Sequence, residues 1–433
     1  MSEYKKPSSP AEFAKNFKQK KPLMNQTEAH FESARCLFCY DAPCMDACPT
    51  GIDIPLFIKQ IHTENVDGAA KTIYDSNWMG NACGTVCPTG VLCEGACVYN
   101  HQDVLPVQIG RLQNYATDKV ISAGKKLFSE GVDTGFKVAI IGAGPGGVSC
   151  AAELRTLGVA VEIFEAKDNQ SGLLINGVAP YKITNEEVQA EMDYLQNQLN
   201  YKIHYNSPIE TKAQIAELEA NFDAVFIGVG LGATAFRNIP GEDLSGVVGA
   251  VEFIEKLRLN HEKTLLGNKV VVLGGGNTAM DAASESARMG ASEVTLAYRG
   301  TKEKMGAYKF EYDLALSAGV KGVFGANPIE ILGNGNVSGV KFASASGEEF
   351  VVDCDQVIKA TGQAKSGGLF ELIADLDLDE NQRVKVNPDS NQSSNPKYFA
   401  GGDAINGGAE VVNAAYDGKL AANGILAYLT NKK

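Results

Sequence analysis

The chain has 433 residues, of which 44% are hydrophobic, and its 39 Lys and Arg against 52 Asp and Glu give a net charge of −13 at pH 7. This length predicts about three domains, and the negative charge argues against a nucleic-acid groove or an anionic membrane surface. No apolar run approaches the ~18 residues of a membrane-spanning helix. Lys5 and Lys6 are not followed by an apolar segment, so we expect no export signal and a reducing, cytoplasmic location.

The N-terminal part of the chain is predicted to be a helical, cysteine-rich domain. Eight of the ten cysteines fall between Cys36 and Cys97. Helical patterns run from Ala11 to Gln19, from Pro55 to Tyr74 and from Val107 to Phe128. A linker rich in Gly and Asp follows, so this domain is predicted to cover residues 1–134.

These cysteines form two runs. The first reads Cys36-x2-Cys39-x4-Cys44-x3-Cys48-Pro, and the second reads Cys83-x3-Cys87-Pro-x4-Cys93-x3-Cys97. Closely spaced thiolates bind soft metal centres, and the Cys-Pro endings resemble two-cluster ferredoxins, in which the last Cys of one run ligates the other cluster. Spacing alone predicts two iron–sulfur clusters with four cysteines each, Cys83 included. Structural zinc is the alternative, and it would carry no electrons.

A dinucleotide-binding turn follows the linker. The apolar strand Val138–Ile141 enters Gly142-Ala-Gly144-Pro-Gly-Gly147, after which a helical pattern begins. Gly142 permits the tight turn, Gly144 lets the backbone approach a pyrophosphate, and Gly147 lets helix and strand pack closely. Glu165 ends the next strand, about 20 residues on, where a carboxylate accepts hydrogen bonds from ribose hydroxyls. This turn is therefore predicted to bind a dinucleotide.

The same pattern recurs later in the chain. A second buried strand, 269–273, is followed by a glycine turn, a helix and the strand 294–298. Arg299 comes next, where an NAD site often has an acid. A guanidinium at this position could bind the 2′-phosphate of NADPH, or it could stack on the adenine of either nucleotide. The sequence therefore does not decide between NADH and NADPH. The residues expected to hold this second pyrophosphate are Gly274, Gly276, Asn277, Thr278 and Ala279.

The second nucleotide domain is predicted to be inserted in the first. Strand patterns at 225–230 and 357–362 each end in glycine, as expected where the chain leaves one sheet and re-enters it. A last strand ends at Gly402, and Asp403 is placed to meet a cofactor's polyol or phosphate. The predicted fold is an α-helical iron–sulfur domain followed by two Rossmann-like α/β domains. The FAD domain takes residues 135–240 plus 355–433, and the NAD(P)H domain takes residues 241–354.

Several segments resemble the N-terminal half of NAD(P)-dependent dihydropyrimidine dehydrogenase and the electron-input subunit of its bacterial two-chain form. They are CLFCYDAPCMDACPTGIDI (36–54), ACGTVCPTGVLCEGAC (82–97), VQIGRLQNYA (107–116), IGAGPGG (141–147), GGGNTAMD (274–281) and GGDAINGGAEVVNAAYDGKLAA (401–422). The glutamate synthase small subunit is similar through both nucleotide domains. Its second cysteine run is usually shorter, however, and a Glu commonly stands in place of Gln113.

This resemblance implies a ligand set that spacing does not give. Cys36, Cys39, Cys44 and Cys97 would hold one [4Fe-4S] cluster, and Cys48, Cys87, Cys93 and Gln113 the other, leaving Cys83 free. It also implies FAD at the first turn and the nicotinamide nucleotide in the insert. The segments implied to line the flavin are Gly172-Leu173-Leu174 and Glu410-Val411-Val412, together with Gly402 and Asp403.

The activity that the resemblance implies is electron input. NAD(P)H would reduce FAD, and the two clusters would pass single electrons to an FMN-containing partner that reduces uracil or thymine, or works in reverse. No FMN barrel is found before Lys433, so a heterotetramer with that partner is expected, and no general acid or base is expected from this chain. The alternatives are the glutamate synthase small subunit and a flavoprotein whose cysteine domain is a zinc-held docking module.

Overall fold

The computed structural model describes residues 4–432, in which helices precede an alternation of strands and helices. The helices are α1 Pro10–Asn16, α2 Gln26–Ala34, α3 Pro43–Asp46, α4 Ile54–His62, α5 Val66–Ser76, α6 Gly80–Val86, α7 Ile109–Ser122, α8 Pro145–Thr156, α9 Leu173–Asn176, α10 Asn185–Leu199, α11 Lys212–Asn221, α12 Ala250–Asn260, α13 Asn277–Arg288, α14 Lys309–Ser317, α15 Gly367–Phe370, α16 Asp403–Asn406 and α17 Val411–Asn431. The strands are β1 Lys137–Ile141, β2 Ala160–Phe164, β3 Lys202–His204, β4 Ala224–Ile227, β5 Val247–Gly249, β6 Lys269–Leu273, β7 Glu293–Tyr298, β8 Lys321–Phe324, β9 Asn327–Asn334, β10 Asn336–Ala343, β11 Glu349–Asp353, β12 Gln356–Lys359 and β13 Tyr398–Ala400. Among these described residues, no helix combines the length and apolar character needed to cross a bilayer.

The first parallel sheet has the strand order β13-β4-β1-β2-β3. Apart from Lys137, the residues of β1 and β4 are all buried, as expected of strands covered by helices on both faces. From β1 the chain moves outward to β2 and later returns to β4 on the other side of β1. Ligands of such sheets bind beyond the carboxyl ends of the strands where the order reverses, which here is the turn after Ile141.

The helices α2 to α7 carry the two cysteine runs and share one compact unit with this sheet, comprising residues 21–174, 182–231 and 365–432. Their apolar faces form a common core that includes Phe57, Ile73 and Leu112. The single helix predicted from Pro55 to Tyr74 is wrong. The chain breaks at Glu64, which has φ +62°, and α5 then starts with its own cap, since the Asn65 side chain accepts from Gly68 N at 3.1 Å.

A second compact unit comprises residues 232–364 together with residues 4–20 and 175–181. It contains a parallel sheet of order β5-β12-β6-β7-β8 and an antiparallel sheet of order β11-β10-β9. The segment around α1 belongs to it because Phe17 is buried in its core and Arg288 donates to Asn16 O at 2.7 Å. The sequence predicted the parallel sheet of this unit but neither the antiparallel one nor the attachment of α1.

One strand lies in a different sheet from the one predicted. The segment starting at Val357 was expected to re-enter the first sheet, but β12 pairs in parallel with β5 and β6 of the second. All four β12 residues are buried, so the strand needs a neighbour on each side, and it finds both in the insert. The stretch 232–364 of this compact unit extends beyond the predicted 241–354 at both ends. Residues on both sides of the predicted domain boundary at residue 134 belong to the same compact unit. The boundary itself stays a prediction.

Candidate functional site

The turn between β1 and α8 is closed around its first and last glycines and open at the middle one. Gly142 has φ +99°, and a Cβ there would lie 2.6 Å from the Gly228 carbonyl oxygen. A Cβ at Gly147 would lie 2.0 Å from the Gly142 carbonyl oxygen. A Cβ at Gly144 would meet nothing closer than Gly172 Cα at 3.9 Å. The space over Gly144 is thus free for a phosphate to approach the backbone.

The groups around this turn suit a dinucleotide. Gly144 is the N-cap of α8 and offers no side-chain cap, so the first N–H groups of the helix face the open space. Glu165 follows β2, and its carboxylate accepts from Ala143 N at 2.7 Å and from Lys167 N at 2.8 Å. These bonds fix the carboxylate beside the turn, and each oxygen keeps a lone pair for a ribose hydroxyl.

Two later segments approach the same turn. Ser171 N donates to Ala143 O at 2.7 Å, and the buried Ser171 hydroxyl has no hydrogen-bond partner. From α17, the Ala414 carbonyl oxygen lies 3.3 Å from a Cβ built on Gly146, and its side chain lies 3.3 Å from one built on Gly402. Of the predicted flavin-lining residues, Gly172 adjoins Gly144, and Gly402 contacts Ala414, which itself adjoins Gly146. The others lie on the same two segments of the chain: Leu173, Asp403, Glu410, Val411 and Val412.

Two partly buried carboxyl groups lie just beyond β13. Asp403 accepts from Ala409 N at 3.1 Å, and burial raises its pKa. Asp417 accepts from Gly402 N at 2.9 Å, which holds Gly402 at φ +66°. Burial raises the pKa of Asp417 to about 6, although that N–H favours the charged form. Sequence reasoning found Asp403 after its strand but missed Asp417, because a single acid within a helix gives no positional signal.

The turn between β6 and α13 repeats the geometry of the first. Gly274 has φ +153°, and a Cβ there would lie 2.4 Å from the Ala360 carbonyl oxygen. Nothing lies within 4 Å of a Cβ built on Gly276, the N-cap of α13. This middle glycine therefore leaves the same free space over the backbone as Gly144 does in the first turn.

The next residues of this turn have three different environments. Asn277 accepts from Tyr308 N at 3.0 Å, which ties the turn to the loop before α14. Thr278 is exposed, whereas Ala279 is buried against Gly274. Of the predicted residues of this turn, Gly274 and Gly276 line a cavity together with the intervening Gly275, whereas these three are not among its described lining residues.

That cavity has a volume of about 530 Å³ and opens at the second turn. Two cations line it, Arg237 and Arg299, and both are exposed. The Arg237 guanidinium donates to the carbonyl oxygen of Thr361, whose own hydroxyl is buried without a hydrogen-bond partner. Among the described residues that line the cavity there is no Asp or Glu. Sequence reasoning found Arg299 but missed Arg237 and Thr361, which lie far from the turn in sequence.

The first group of thiols lines a small apolar cavity with a volume of about 30 Å³. Burial raises the pKa of Cys44 to about 12, and the neighbouring thiols of Cys36, Cys97 and Cys39 raise it further. The pKa of Cys36 is raised in the same way, by burial and by Cys39 and Cys97. These four cysteines are the set that the resemblance implies for one cluster. Thiols that close together in a low-dielectric pocket suit a soft cationic centre.

A second group of thiols lies nearby in the same unit. Burial raises the pKa of Cys93, and the charges of Glu94, Cys87 and Cys48 raise it further. Cys83 is buried one turn before Cys87 on α6, and a hydrogen bond to the Cys87 thiol keeps its pKa well above the usual value. Among residues 4–432, no three His, Cys, Asp or Glu side chains are placed so that they could hold one metal ion. The members of the two thiol groups are therefore assigned from the neighbouring thiols that raise the pKa of Cys44, Cys36 and Cys93.

Gln113 lies on α7, beside α6, which carries Cys83 and has Cys87 as its C-terminal cap. Its side chain is buried, and Nε2 donates to Gly80 O at 2.6 Å, at the start of α6. This bond fixes the side chain and commits the amide nitrogen to the protein, so the amide oxygen is the atom available to a metal.

Sequence reasoning missed Glu191, a fully buried carboxylate on α10. A signal was present, since Val188, Met192, Leu195 and Leu199 form the buried stripe of that helix and Glu191 falls on the same face. An acid on an apolar stripe needs a buried partner. Its partners lie on α5 and α6, more than a hundred residues earlier, so sequence spacing could not identify them.

Comparisons with known proteins identify two families along the chain. Residues 13–125 match the family described as dihydropyrimidine dehydrogenase domain II, 4Fe-4S cluster. Residues 136–418 match the pyridine nucleotide-disulphide oxidoreductases. The first match supports iron–sulfur rather than zinc for the cysteine domain, and together they confirm the predicted fold class and an oxidoreductase with FAD, NAD(P)H and iron–sulfur.

Two curated relatives match over nearly the whole chain. The glutamate synthase [NADPH] small chain of Escherichia coli K12 is 34% identical over 437 residues, covering 94% of this chain and 92% of the relative. The NAD-dependent dihydropyrimidine dehydrogenase subunit PreT of the same strain is 34% identical over 408 residues, covering 94% and 96%. Mycobacterium tuberculosis FprA in complex with NADPH has a TM-score of 0.57 at 20% identity, covering 68% of this chain and 85% of that one. That likeness shows the fold alone.

Proposed function

This chain belongs to the pyridine nucleotide-disulphide oxidoreductases, with an N-terminal 4Fe-4S domain of the dihydropyrimidine dehydrogenase type, and we propose that it is the electron-input subunit of a two-chain dihydropyrimidine dehydrogenase. The observation that carries the proposal is the grouping of its thiols. Cys36, Cys39, Cys44 and Cys97 are neighbours, and Cys48, Cys87 and Cys93 form a second group in the same compact unit as the first nucleotide turn.

The protein's part in this chemistry is to bind and position. Bound FAD would supply hydride acceptance and one-electron release, and two [4Fe-4S] clusters would supply one-electron conduction. The first turn, with Glu165 and Asp403, would hold the FAD, and the second turn would hold the nicotinamide nucleotide. No side chain here is assigned as a general acid or base. Cys354 is the single cysteine of residues 241–354, so the insert has no dithiol for disulphide exchange.

The acceptor is an FMN-containing partner chain that reduces uracil or thymine, in a heterotetramer of two copies of each chain. The relatives' names are consistent with two different partners at equal identity. Gln113 favours the pyrimidine partner, as does the five-residue gap between Cys87 and Cys93, because the glutamate synthase small subunit usually lacks both. Electron input to a glutamate synthase large subunit is the second candidate.

The cavity at the second turn favours NADPH as the reductant. NADPH differs from NADH by a 2′-phosphate, and a guanidinium binds phosphate through two parallel hydrogen bonds. Arg299 follows β7 at the position where NAD sites often have an acid, and Arg237 lines the same cavity. With two cations and no carboxylate among the described lining residues, a phosphate is attracted and no acid is present to bind a ribose 2′-hydroxyl instead.

The electron path is tested with Cys39→Ala in protein purified anaerobically from its native cell. We expect this variant to lose electron delivery to the co-purified partner while NADPH still reduces its flavin at the normal rate in stopped-flow measurements. Mass spectrometry of the co-purifying chain identifies the acceptor. A large amidotransferase in place of an FMN protein contradicts the pyrimidine assignment, and loss of flavin reduction in the variant contradicts the proposed order of the carriers.

The nucleotide is tested by comparing NADPH and NADH as reductants of the flavin. We expect a higher kcat/KM for NADPH, and Arg299→Ala is expected to lower it roughly tenfold to a hundredfold, as loss of a charged hydrogen bond of ~1.5–3 kcal/mol implies. Lys263→Ala removes an exposed cation elsewhere in the insert and serves as the control. A wild-type preference for NADH, or equal losses for both nucleotides in Arg299→Ala, contradicts the assignment.

A further inference from the structure

The carboxylate of Glu191 is completely buried, and neighbouring groups occupy both of its oxygens. Oε1 accepts from Asn81 N at 2.6 Å and from the Tyr74 hydroxyl at 3.0 Å, and Oε2 accepts from Ala82 N at 2.9 Å. Burial raises the pKa of Glu191 to about 7, while the three donors favour its charged form. A buried acid with this many protein donors has a fixed position and orientation.

The two N–H groups that Glu191 accepts from, those of Asn81 and Ala82, belong to the first turn of α6. N–H groups there have no partner within their own helix, and the N-cap, Met79, supplies no side-chain cap. Glu191 supplies this missing side-chain cap from α10, which lies about a hundred residues further along the chain. A carboxylate at this end also interacts favourably with the helix dipole. The helix that carries Cys83 and ends at Cys87 is thus anchored by a residue of the nucleotide-binding region.

The opposite side of the same turn is held from α7. Gln113 Nε2 donates to Gly80 O at 2.6 Å, and the side chains of Asn114 and Thr117 both donate to Asn81 Oδ1 at 2.9 Å. Gln113 and Glu191 therefore bind adjacent residues of α6. A shift of this turn would move Cys87 and the amide of Gln113 together.

We propose that Glu191 is a positioning residue for the second iron–sulfur cluster, which it serves by fixing α6 and by placing a buried charge near the cluster. This inference rests on the proposed function, because it takes Cys87 and Gln113 as ligands of that cluster. Reduction adds negative charge to a cluster, and a buried carboxylate nearby opposes it more strongly than an exposed one does. Glu191 therefore lowers the potential of the second cluster relative to that of the first.

The test is a redox titration followed by electron paramagnetic resonance (EPR) on anaerobic wild-type protein and on Glu191→Gln, at pH 9, where the carboxylate is ionised. Glutamine removes the charge and turns an NH2 group toward one of the two N–H donors. We expect a changed spectrum for the second cluster and a more positive potential, by at least a tenfold change in its one-electron equilibrium, which is 59 mV. The signal of the first cluster is expected to stay unchanged.

Two further variants separate charge from position. Glu186→Gln neutralises an exposed carboxylate on the same helix and is expected to change neither cluster. Glu191→Asp keeps the charge but shortens the reach, so we expect an altered spectrum with a smaller change in potential than in Glu191→Gln. Selective loss of the second cluster in either Glu191 variant, with the first cluster and FAD retained, also supports the positioning role.

Three outcomes overturn the inference. The first is a second-cluster spectrum and potential in Glu191→Gln that match the wild type. The second is joint loss of FAD and both clusters in both Glu191 variants, which makes Glu191 a general folding residue. The third is a wild-type protein with far fewer than the roughly eight iron atoms that two four-iron clusters require. That result also contradicts the proposed function, whereas the first two leave it intact.

Discussion

Glycines that look equivalent in the sequence have opposite tolerances in the two nucleotide turns. At Gly142 and Gly274 the φ angle is positive and a carbonyl oxygen blocks any side chain. At Gly144 and Gly276 the backbone is extended and a Cβ would meet no close neighbour. The first glycine of each turn is therefore required by the fold, whereas the middle one leaves room for the ligand.

Gly144→Ala is expected to weaken FAD binding without unfolding the protein. The new methyl group fills the space that a pyrophosphate needs, so we expect at least about a tenfold loss of FAD affinity, or ~1.4 kcal/mol. Stability of the FAD-free protein should change by no more than ~1 kcal/mol. Gly147→Ala, by contrast, places its methyl 2.0 Å from a carbonyl oxygen, and we expect it to destabilise the fold by ~1–3 kcal/mol.

Flavin fluorescence titration and urea unfolding of both variants separate the two effects. Equal FAD affinity in wild type and Gly144→Ala would remove the assignment of this turn to the cofactor. Unfolding of Gly144→Ala at a much lower urea concentration would mean that the space over Gly144 belongs to the protein.

Asp417 is expected to make stability depend on pH. Its folded pKa of about 6 lies above the ~3.9 of an unfolded Asp, so the native state binds the proton more tightly. Ionisation therefore costs stability above pH 6, and the cost disappears as the pH falls from 6 to 4. Two pKa units correspond to about 3 kcal/mol. Asp417→Asn should be more stable than wild type by up to that amount at pH 7 and similar to it at pH 4.

Urea unfolding of both proteins between pH 4 and 8 checks this prediction. The quantity to compare is the difference in unfolding free energy, because titrating groups that do not interact with Asp417 cancel from it, whereas the neighbouring Asp403 does not cancel. A difference that is constant over this pH range would show that Asp417 is not the group responsible.

At the scale of elements, the carboxyl end of β12 depends on one buried ion pair. Lys359 Nζ lies 3.1 Å from Glu242 Oε1, and both side chains are 6% exposed. Glu242 also accepts from Arg237 N at 3.1 Å and from Ile239 N at 3.2 Å. The pair thus joins β12, an interior strand of the second sheet, to the loop that carries Arg237 into the nucleotide cavity.

Glu242→Gln is expected to destabilise the protein by up to ~3–5 kcal/mol, because it removes the carboxylate paired directly with the buried Lys359 ammonium and leaves, among the carboxylates that the structure describes, only the Coulombic interaction with Glu252. The double variant Glu242→Leu with Lys359→Met removes both charges and should recover most of that loss. Urea unfolding of wild type, single and double variants forms the test. A double variant as unstable as the single one would show that hydrogen bonds to the loop, rather than charge compensation, account for the effect.

The elements that sequence predicted well are those with local signals. The strands β1 and β6, with their glycine turns, carry their own periodicity and spacing, and the cysteine runs carry theirs. The break at Glu64 was missed because the apolar periodicity continues through it. The sheet of β12 was mistaken because an apolar run with a terminal glycine fits either sheet, and only pairing decides between them. Glu191 was missed because its partners lie on another part of the chain.

At the scale of the whole molecule, one compact unit contains both thiol groups and the first nucleotide turn, and the other contains the second turn. In the proposed order of carriers, electrons enter at the unit that contains the second nucleotide turn and leave at or near the first thiol group. Several large apolar side chains are exposed in this part of the unit. Tyr40 is 99% exposed, Leu105 81% and Leu37 55%, and Leu37 also lines the cavity of the first thiol group.

This apolar surface is expected to contact the electron acceptor. Leu105→Ser should weaken binding of the co-purified partner at least about fivefold, as loss of ~1 kcal/mol at an interface implies, because it removes apolar area that the complex would bury. Reduction of the flavin by NADPH and the EPR signals of both clusters should stay unchanged, since Leu105 touches neither. Leu265→Ser, at a leucine that is 78% exposed in the other unit, provides the matched control.

Surface plasmon resonance with the immobilised partner, and the rate of partner reduction at limiting concentration, both measure the effect. Unchanged affinity in Leu105→Ser together with weaker binding in Leu265→Ser would place the acceptor on the unit that binds the nicotinamide nucleotide. The clusters would then need a role other than delivering electrons to this acceptor. Weaker binding in Leu105→Ser alone fits a path that runs from nicotinamide through the flavin and both thiol groups to the surface around Leu37.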